Sequence, residues 1–290
     1  MTALAIDLGG TNMRAGLVEC DAIEQAPLGR WKVPASVEEF RCRVDALLVE
    51  HGASELGVAI PGIARGTVCV WAPNLPFLDG VDLAALFPCA RVALGNDAHL
   101  SLLAEAVGGA AREVENAILL AVGTGIGSAV LADGSILRGH AGSATSFGWA
   151  CADPSDAGHP AHGWLERTAS GTALDRIAAG LGLEDGPAIV ACARNGDSAA
   201  IKALEPPMAA LGAALAGAVA LTGAPLVIFA GGVADSLDVL GRLIRPALVR
   251  QLPPHLRDVR LAAGHFGPRA ALTGAGLAAR GHPIWLEDRS

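Results

Sequence analysis

Two short strings, Gly9-Gly10-Thr11 and Gly123-Thr124-Gly125, each set glycines and a threonine hydroxyl at the end of an apolar run. A chain of phosphates is held by backbone N–H donors with no side chain in the way. Glycine permits that close approach and threonine adds a donor. Asp7 stands two residues before the first turn, where a carboxylate can hold Mg2+ directly or through water. Gly231-Gly232 follows the apolar run 226–230 in the same manner. None of the three is a Walker A loop, because no GxxxxGK[ST] occurs. Asn96-Asp97 ends another apolar run and begins a helical pattern. An aspartate there is either a helix N-cap or a base that takes the proton from an attacking hydroxyl in phosphoryl transfer, with Asn96 orienting that hydroxyl.

The elements that must position these residues follow from periodicity. A strand at Leu4 to Asp7 and a second from Met13 to Glu19 predict a hairpin closed by the first glycine-threonine turn. Residues 37–50 have helical spacing. Leu56 to Ile60, Thr67 to Trp71 and Val92 to Gly95 read as strands, with a short helix at 82–87 and a longer one at 99–112. A second hairpin, Ala117 to Val122 and Ser128 to Leu131, repeats the opening device around Gly123-Thr124-Gly125 about 115 residues later. Helices are predicted at 166–182, 186–194, 197–222, 236–250 and about 269–280, with strands at 226–230 and 259–263. Strands alternating with helices make this an α/β protein, and the two hairpins suggest a duplicated core with a cleft between the copies. The expected division is a smaller domain at 1–113 and a larger one at 114–269, with the C-terminal stretch of about 270–290 packing back on the first.

Composition bounds the partners. The 290 residues are 52% hydrophobic and 17% charged, enough apolar mass for a two-domain core. A formal charge of -8 leaves no basic footprint for nucleic acid. The six cysteines are scattered without a CxxC pair, as in a reducing compartment. The start MTALAIDLGG lacks a basic n-region, which argues against a secretory signal and for a cytoplasmic location. Residues 207–233 carry no charge, but Thr222-Gly223-Ala224-Pro225 divides them. A buried helix, a turn and a buried strand are expected there, and no membrane span.

Taken together, Asp7-Leu8-Gly9-Gly10-Thr11, Ala72-Pro73-Asn74-Leu75-Pro76, Asn96-Asp97-Ala98 and Gly123-Thr124-Gly125-Ile126-Gly127 resemble the ROK family of bacterial sugar kinases. Leu137-Arg138-Gly139, Gly163-Trp164-Leu165-Glu166 and Ala169-Ser170-Gly171 extend the resemblance in the family's order across nearly the whole chain. The resemblance implies an actin-like, hexokinase-like (ribonuclease H-like) α/β fold, with ATP in an interdomain cleft. It also implies transfer of the γ-phosphoryl group of ATP to a sugar hydroxyl, the 6-OH of a hexose such as glucose, allose or an N-acetylhexosamine. By the same resemblance Asp97 is the general base, and Asn74, Asn96 and Glu166 are sugar ligands. Asp7, Gly9, Gly10, Thr11, the adjoining Asn12, Gly123, Thr124, Gly125, Gly231 and Gly232 form the nucleotide and magnesium side. The family is commonly dimeric, so a homodimer is expected.

One segment departs from the family pattern. The usual Glu-x-Gly-His becomes Ser146-Phe147-Gly148-Trp149, and the CxCGxxGCxE zinc loop loses its CxC pair and has Trp164 before Leu165-Glu166. Cys151, His159 and His162 do not make up the four ligands of a tetrahedral site, so no structural zinc is expected and a surface loop held by Trp149 and Trp164 is. Ser146 and Trp149 then take the place of the lost sugar ligands, the indole offering an apolar platform and one N–H donor. A sugar-sensing protein without catalysis is the alternative. The repressors of the family carry an N-terminal helix-turn-helix, for which a hairpin beginning at residue 4 leaves no room.

Overall fold

The computed structural model describes residues 2–19, 23 and 26–285; Cys20 and the end of the expected 270–290 stretch lie outside them. The chain divides into two compact units, one formed by residues 1–113, 134–144 and 268–290 and the other by 114–133 and 145–267. Residues 134–144 thus leave the second unit's sequence and count with the first.

The first unit is built on a five-stranded sheet. Its strands are β1 (Ala3–Leu8), β2 (Asn12–Val18), β3 (Ala26–Lys32), β4 (Glu55–Ile60) and, after the small hairpin β5 (Ile63–Arg65) and β6 (Val68–Trp71), β7 (Arg91–Asn96). The order is β3-β2-β1-β4-β7, with the β1–β2 and β2–β3 pairs antiparallel and the β1–β4 and β4–β7 pairs parallel. The sequence reading missed β3, whose APLGRWK lacks clean alternation and contains proline, a residue confined to edge positions. Helix α1 (Val37–His51) opens on Ser36, whose hydroxyl accepts from Glu39 N, and closes on Gly52 in the left-handed conformation. The short α2 spans Leu83–Leu86, and α3 (Asp97–Gly108) starts directly from β7. Leu4, Ile6, Leu8, Phe40, Val44, Val58 and Ile60 are wholly buried, and Phe40 meets Phe87 edge to face at 5.7 Å.

The second unit repeats the device. A hairpin of β8 (Ala117–Val122) and β9 (Ile126–Ala132) pairs in parallel through β8 with β11 (Leu226–Ala230), and β11 in turn with β12 (Arg260–Ala263). After β10 (Ser135–Ile136), which counts with the first unit, the chain runs through α4 (Trp164–Ala169), α5 (Gly171–Gly180), α6 (Gly186–Arg194) and α7 (Ser198–Thr222); α8 (Leu237–Gln251) lies between β11 and β12. The single helix expected over 166–182 is in fact two. Ser170 is extended, ends α4, and its hydroxyl caps α5 by accepting from Ala173 N. Helix α7 has the length and apolar composition of a membrane span. Leu204, Met208, Leu211, Leu215 and Val219 on it are nonetheless buried in the unit's core. It ends at left-handed Gly223, and β11 begins after Pro225, as the break at 222–225 predicts.

Helix α9 (Ala270–Ala279) returns to the first unit and packs on β1, β4 and α3. Its AALTGAGLAA sequence is almost all small residues because backbone meets backbone on both sides. A Cβ on Gly57 of β4 would fall 1.8 Å from Ala275 O, and one on Gly274 would fall 1.8 Å from Leu100 O of α3. Neither neighbour is a movable side chain, so a methyl group forces helix or strand apart. Gly274→Ala is expected to destabilise the protein by about 1–3 kcal/mol. In thermal unfolding, a midpoint unchanged from the parent protein would show that α9 and α3 are not in this contact.

Candidate active site

Strand β1 is fully buried except at one residue. Asp7 keeps a fifth of its side chain exposed. The parallel register sets Asp7 opposite Ala59, Ala59 opposite Gly95, and Ile60 opposite Asn96. Three strands therefore end together, and Asp7 and Asn96-Asp97 share that carboxyl edge. Open α/β sheets bind ligands at this edge, because loops and helix starts there present free backbone groups.

Asn96 rather than Asp97 caps helix α3. Its Oδ1 accepts from Ala98 N at 2.9 Å and His99 N at 3.3 Å, while its Nδ2 donates to Gly62 O at 3.0 Å. The carbonyl oxygen must face the helix to accept these bonds, so only one amide N–H is left for a ligand. That capping releases Asp97 from the N-cap role. Its Oδ1 accepts from Ala98 N at 2.8 Å and its carbonyl from Ser101 Oγ at 2.8 Å. The carboxyl is packed deep among protein atoms while part of its surface stays open. Burial first, and the neighbouring Asp7 carboxylate second, push its pKa up to about 6, against the lowering effect of its backbone hydrogen bonds. Asp7 is likewise raised by burial, and Arg14, whose Nη1 is 3.8 Å from Asp7 Oδ2, pulls the other way. Two neighbouring carboxyls, both raised by burial and one of them further raised by the other's charge, suit a bound cation on one and proton transfer on the other.

The first glycine-threonine turn closes by Gly9 N donating to Asn12 O at 2.9 Å, leaving Gly10 and Thr11 exposed. Asn74 stands against this turn: a Cβ on Gly10 would lie 2.9 Å from Asn74 Cβ. The 72–79 loop that carries it is pinned by Ala72 N donating to Asp79 Oδ1 at 2.7 Å and by buried Leu75. The turn expected to hold phosphate and a residue expected to hold sugar are thus neighbours.

In the second unit Gly123 and Thr124 are exposed at the tip of the β8–β9 hairpin. Helix α5 is tied to that tip, Gly171 N donating to Gly123 O at 2.7 Å and Thr172 Oγ1 to Thr124 O at 2.9 Å. Gly231 adopts φ 76°, and a Cβ there would meet Val122 O at 2.5 Å. Gly232 is open. Beside these glycines lies a mostly apolar cleft of about 90 Å3, lined among others by Gly171, Leu174, Pro187, Val190, Val233 and Leu240. Sequence reading found the glycines but not this apolar wall. Its residues are ordinary core-type positions on α5, α6 and α8, and only Ala169-Ser170-Gly171 carried a signal.

Glu166 reaches the same hairpin from α4, its Oε1 lying 2.8 Å from where a Gly125 Cβ would stand. It lines a separate cavity of about 410 Å3 with Thr124, His162, Ser170, Thr172 and Arg176. Gly148 also packs against Glu166 and Ile126, so the altered 146–149 turn sits directly beside it. That turn is anchored by buried Ser128, whose hydroxyl accepts from Phe147 N and Thr145 Oγ1. Ser146 is exposed, and Trp149 is 52% exposed. The expectation that Trp149 packs to hold the following loop is therefore corrected. Trp164 alone of the pair packs on the core. The loop is held by Arg167 Nη2 donating to Asp156 Oδ1 at 2.8 Å and by Asp153 Oδ1 accepting from Ser155 N and Oγ. His159 Nδ1 accepts from the backbone N–H groups of Ala161 and His162, and Cys151 Sγ donates to Asp153 O. Among the described residues no three His, Cys, Asp or Glu side chains are gathered as for a metal ion.

Comparison with known proteins gives this arrangement a context. N-acetylmannosamine kinase of Citrobacter koseri is 29% identical over 295 residues, covering 97% of this chain and 99% of that protein. Glucokinase of Streptomyces coelicolor is 29% identical over 314 residues, covering 96% and 97%. Among solved structures, the ROK family glucokinase of Streptomyces griseus in complex with glucose and AMPPNP aligns with a TM-score of 0.77 at 25% identity, covering 97% of this chain and 99% of that one. Both units therefore belong to the hexokinase-like, actin-like α/β fold. The sequence pattern of the ROK family matches residues 3–281, and the chain belongs to that family.

Proposed function

We propose that this protein is an ATP-dependent sugar kinase that transfers the γ-phosphoryl group to a hexose hydroxyl, with Asp97 as the general base. The observation that carries the reading is Asp97 itself: a partly open carboxyl freed from capping by Asn96, beside Asp7, with its pKa raised to about 6. A base works best when its pKa lies near the working pH, because it is then both ionised and basic enough to take the proton. Kinases of this kind work mainly by positioning and by neutralising charge.

The roles follow from the residues. Gly9, Gly10, Thr11, Asn12, Gly123, Thr124, Gly125, Gly231 and Gly232 offer backbone donors and hydroxyls to the phosphates, and the apolar cleft beside Gly232 suits the flat face of the base. Asp7 would hold Mg2+, directly or through water, and that ion offsets the negative charge of the phosphates. Asn74 and Glu166 hold sugar hydroxyls. Asn96 adds one N–H and mainly sets the start of α3. Trp149, exposed next to the turn that borders Glu166, offers an apolar platform to a sugar face, with Ser146 beside it. We assign the acceptor to the hexoses and N-acetylhexosamines, the classes on which the two relatives are named, and place the work in the cytoplasm, in a homodimer.

In a coupled ADP-release assay over a panel of hexoses and N-acetylhexosamines, at least one sugar is expected to support turnover, with kcat/KM rising with pH through about 6. Asp97→Asn should lower kcat by about 10²- to 10⁴-fold while ATP binding, followed by calorimetry, persists. Sugar-independent ADP release only, or full activity in the variant, would sink the reading and favour a sugar-binding protein without catalysis.

The raised pKa also carries a stability sign. In the unfolded chain the Asp97 carboxyl titrates near 3.8, so at pH between about 4 and 6 the native state binds more protons than the unfolded one. Its ionisation therefore destabilises the fold as pH rises through that window. Asp97→Asn should raise the unfolding midpoint at pH 7 by the equivalent of on the order of 1–2 kcal/mol and leave it unchanged below pH 4. An identical difference at both values would mean that Asp97 is not strained by burial.

Elemental analysis of the purified protein is expected to find no stoichiometric zinc, and a zinc chelator to leave both the unfolding midpoint and Mg2+-supported activity unchanged. One tightly held zinc per chain would return the 151–162 loop to a metal-binding role.

A further inference from the structure

Two polar atoms in the first unit are buried without any hydrogen-bond partner among the described residues: Nε2 of His99 and Nε1 of Trp285. His99 is 3% exposed and Trp285 is 4% exposed. A buried donor or acceptor left alone costs about 1–3 kcal/mol, so two in one place call for a physical reason. Both residues line the same small cavity of about 10 Å3, together with Asn96, Arg138, Gly95 and Gly142. That volume is close to the roughly 10–15 Å3 that one water needs, and a buried water also needs two to four polar partners. This cavity supplies them. The His99 ring makes its other hydrogen bond to the Ala144 backbone, and burial holds the imidazole neutral, with its pKa down at about 4. Nε2 is therefore the acceptor, and the Trp285 indole N–H is a donor.

The cavity sits against the residues that place the base. His99 is two residues beyond Asp97 on α3, and Asn96, the cap, forms part of the wall. Trp285 packs on Gly95, where a Cβ would fall 2.6 Å from its Cη2. Arg138, in the Leu137-Arg138-Gly139 segment, also holds the indole. Its guanidinium stacks 3.9 Å from the ring centroid, and its Nη2 donates to Trp285 O at 2.6 Å. A segment in mid-chain and the last described turn of the chain are thus both recruited to the floor beneath Gly95-Asn96-Asp97.

We propose that this cavity holds one ordered water bridging His99 Nε2 and Trp285 Nε1, and that His99 and Trp285 are positioning residues for Asp97. The water donates to His99 and accepts from Trp285, so both buried atoms are satisfied. The bridge links the first turn of α3 to the C-terminal turn clamped by Arg138. Neither side chain touches a reacting atom. They act by fixing the direction in which α3 starts, and small displacements of a catalytic group cost large factors in rate.

The catalytic part of this proposal rests on the kinase reading, so the test has one arm that needs no activity. In 15N–1H spectra of the whole chain, the Trp285 indole N–H should be protected from solvent exchange. Its resonance should move in His99→Leu, which removes the acceptor, and less in His99→Gln, which keeps one. A crystal structure of the parent protein should show one water between the two atoms. A dry cavity, or an indole signal indifferent to His99→Leu, overturns the bridge whether or not the protein is a kinase. In the kinetic arm, His99→Leu and Trp285→Phe should each lower kcat about tenfold or more with the KM for ATP within about twofold of the parent. The double variant should be no worse than the poorer single one, and His99→Gln should recover most of the rate. If His99→Leu does not fold, His99→Gln and Trp285→Phe carry both arms. Additive losses, or a change in KM alone, overturn the positioning role. If the parent transfers phosphate to no sugar, the kinase reading fails while the spectra and crystal structure still decide the bridge.

Discussion

The placement of two half-buried carboxyls, Asp7 and Asp97, at one sheet edge is the constraint around which the first unit is arranged. Burial raises the proton affinity of both carboxyls, the Asp7 charge raises that of Asp97 further, and both cost stability as long as nothing neutralises them. The surrounding structure holds them there nonetheless. Parallel pairing of β1, β4 and β7 fixes where each strand ends, and the Asn96 cap fixes where α3 begins. Arg14 offsets part of the charge from one side only. Keeping such a pair costs fold stability, and strained or perturbed groups of this kind gather at functional sites, which is why the proposed roles fall on Asp7 and Asp97.

Small residues allow that arrangement to stay rigid. Gly57 and Gly274 let α9 approach β4 and α3 at backbone distance, so at Gly274 the helix bearing Asp97 meets backbone and no movable side chain. The second unit uses the same economy differently. Gly123, Gly171 and Gly231 bring a hairpin tip, a helix start and a strand end within contact of one another, and Gly125 and Gly148 do so for Glu166. Many of the 37 glycines are therefore points of contact rather than points of freedom.

The 146–164 segment is held by local hydrogen bonds of its polar groups. Asp153 with Ser155, Asp156 with Arg167, and His159 with two backbone N–H groups form a set of local hydrogen bonds. None of these is worth much alone at a solvent-facing site. Together they tie the turn's polar groups to one another, and Trp149 faces out instead of packing inward.

By itself, the sequence determined the strands and helices that follow clean periodicity, the two glycine-threonine hairpins, and the break at Thr222 to Pro225. Each of these rests on local rules of backbone geometry and apolar spacing, so neighbours in the chain suffice to read them. Residue type and position also marked Asp7, Asn96 and Asp97 as candidates for the chemistry, and the family resemblance added Glu166. Only the tertiary structure decided between Asn96 and Asp97 as the cap, because that depends on where Gly62 O lies. It alone set the raised pKa of Asp97, which needs the burial and the Asp7 charge brought by strand register. It split the 166–182 helix at Ser170, formed the apolar wall beside Gly232, and joined His99, Arg138 and Trp285 around one cavity. These depend on groups far apart in the chain, and their contact is a product of packing that no local spacing records.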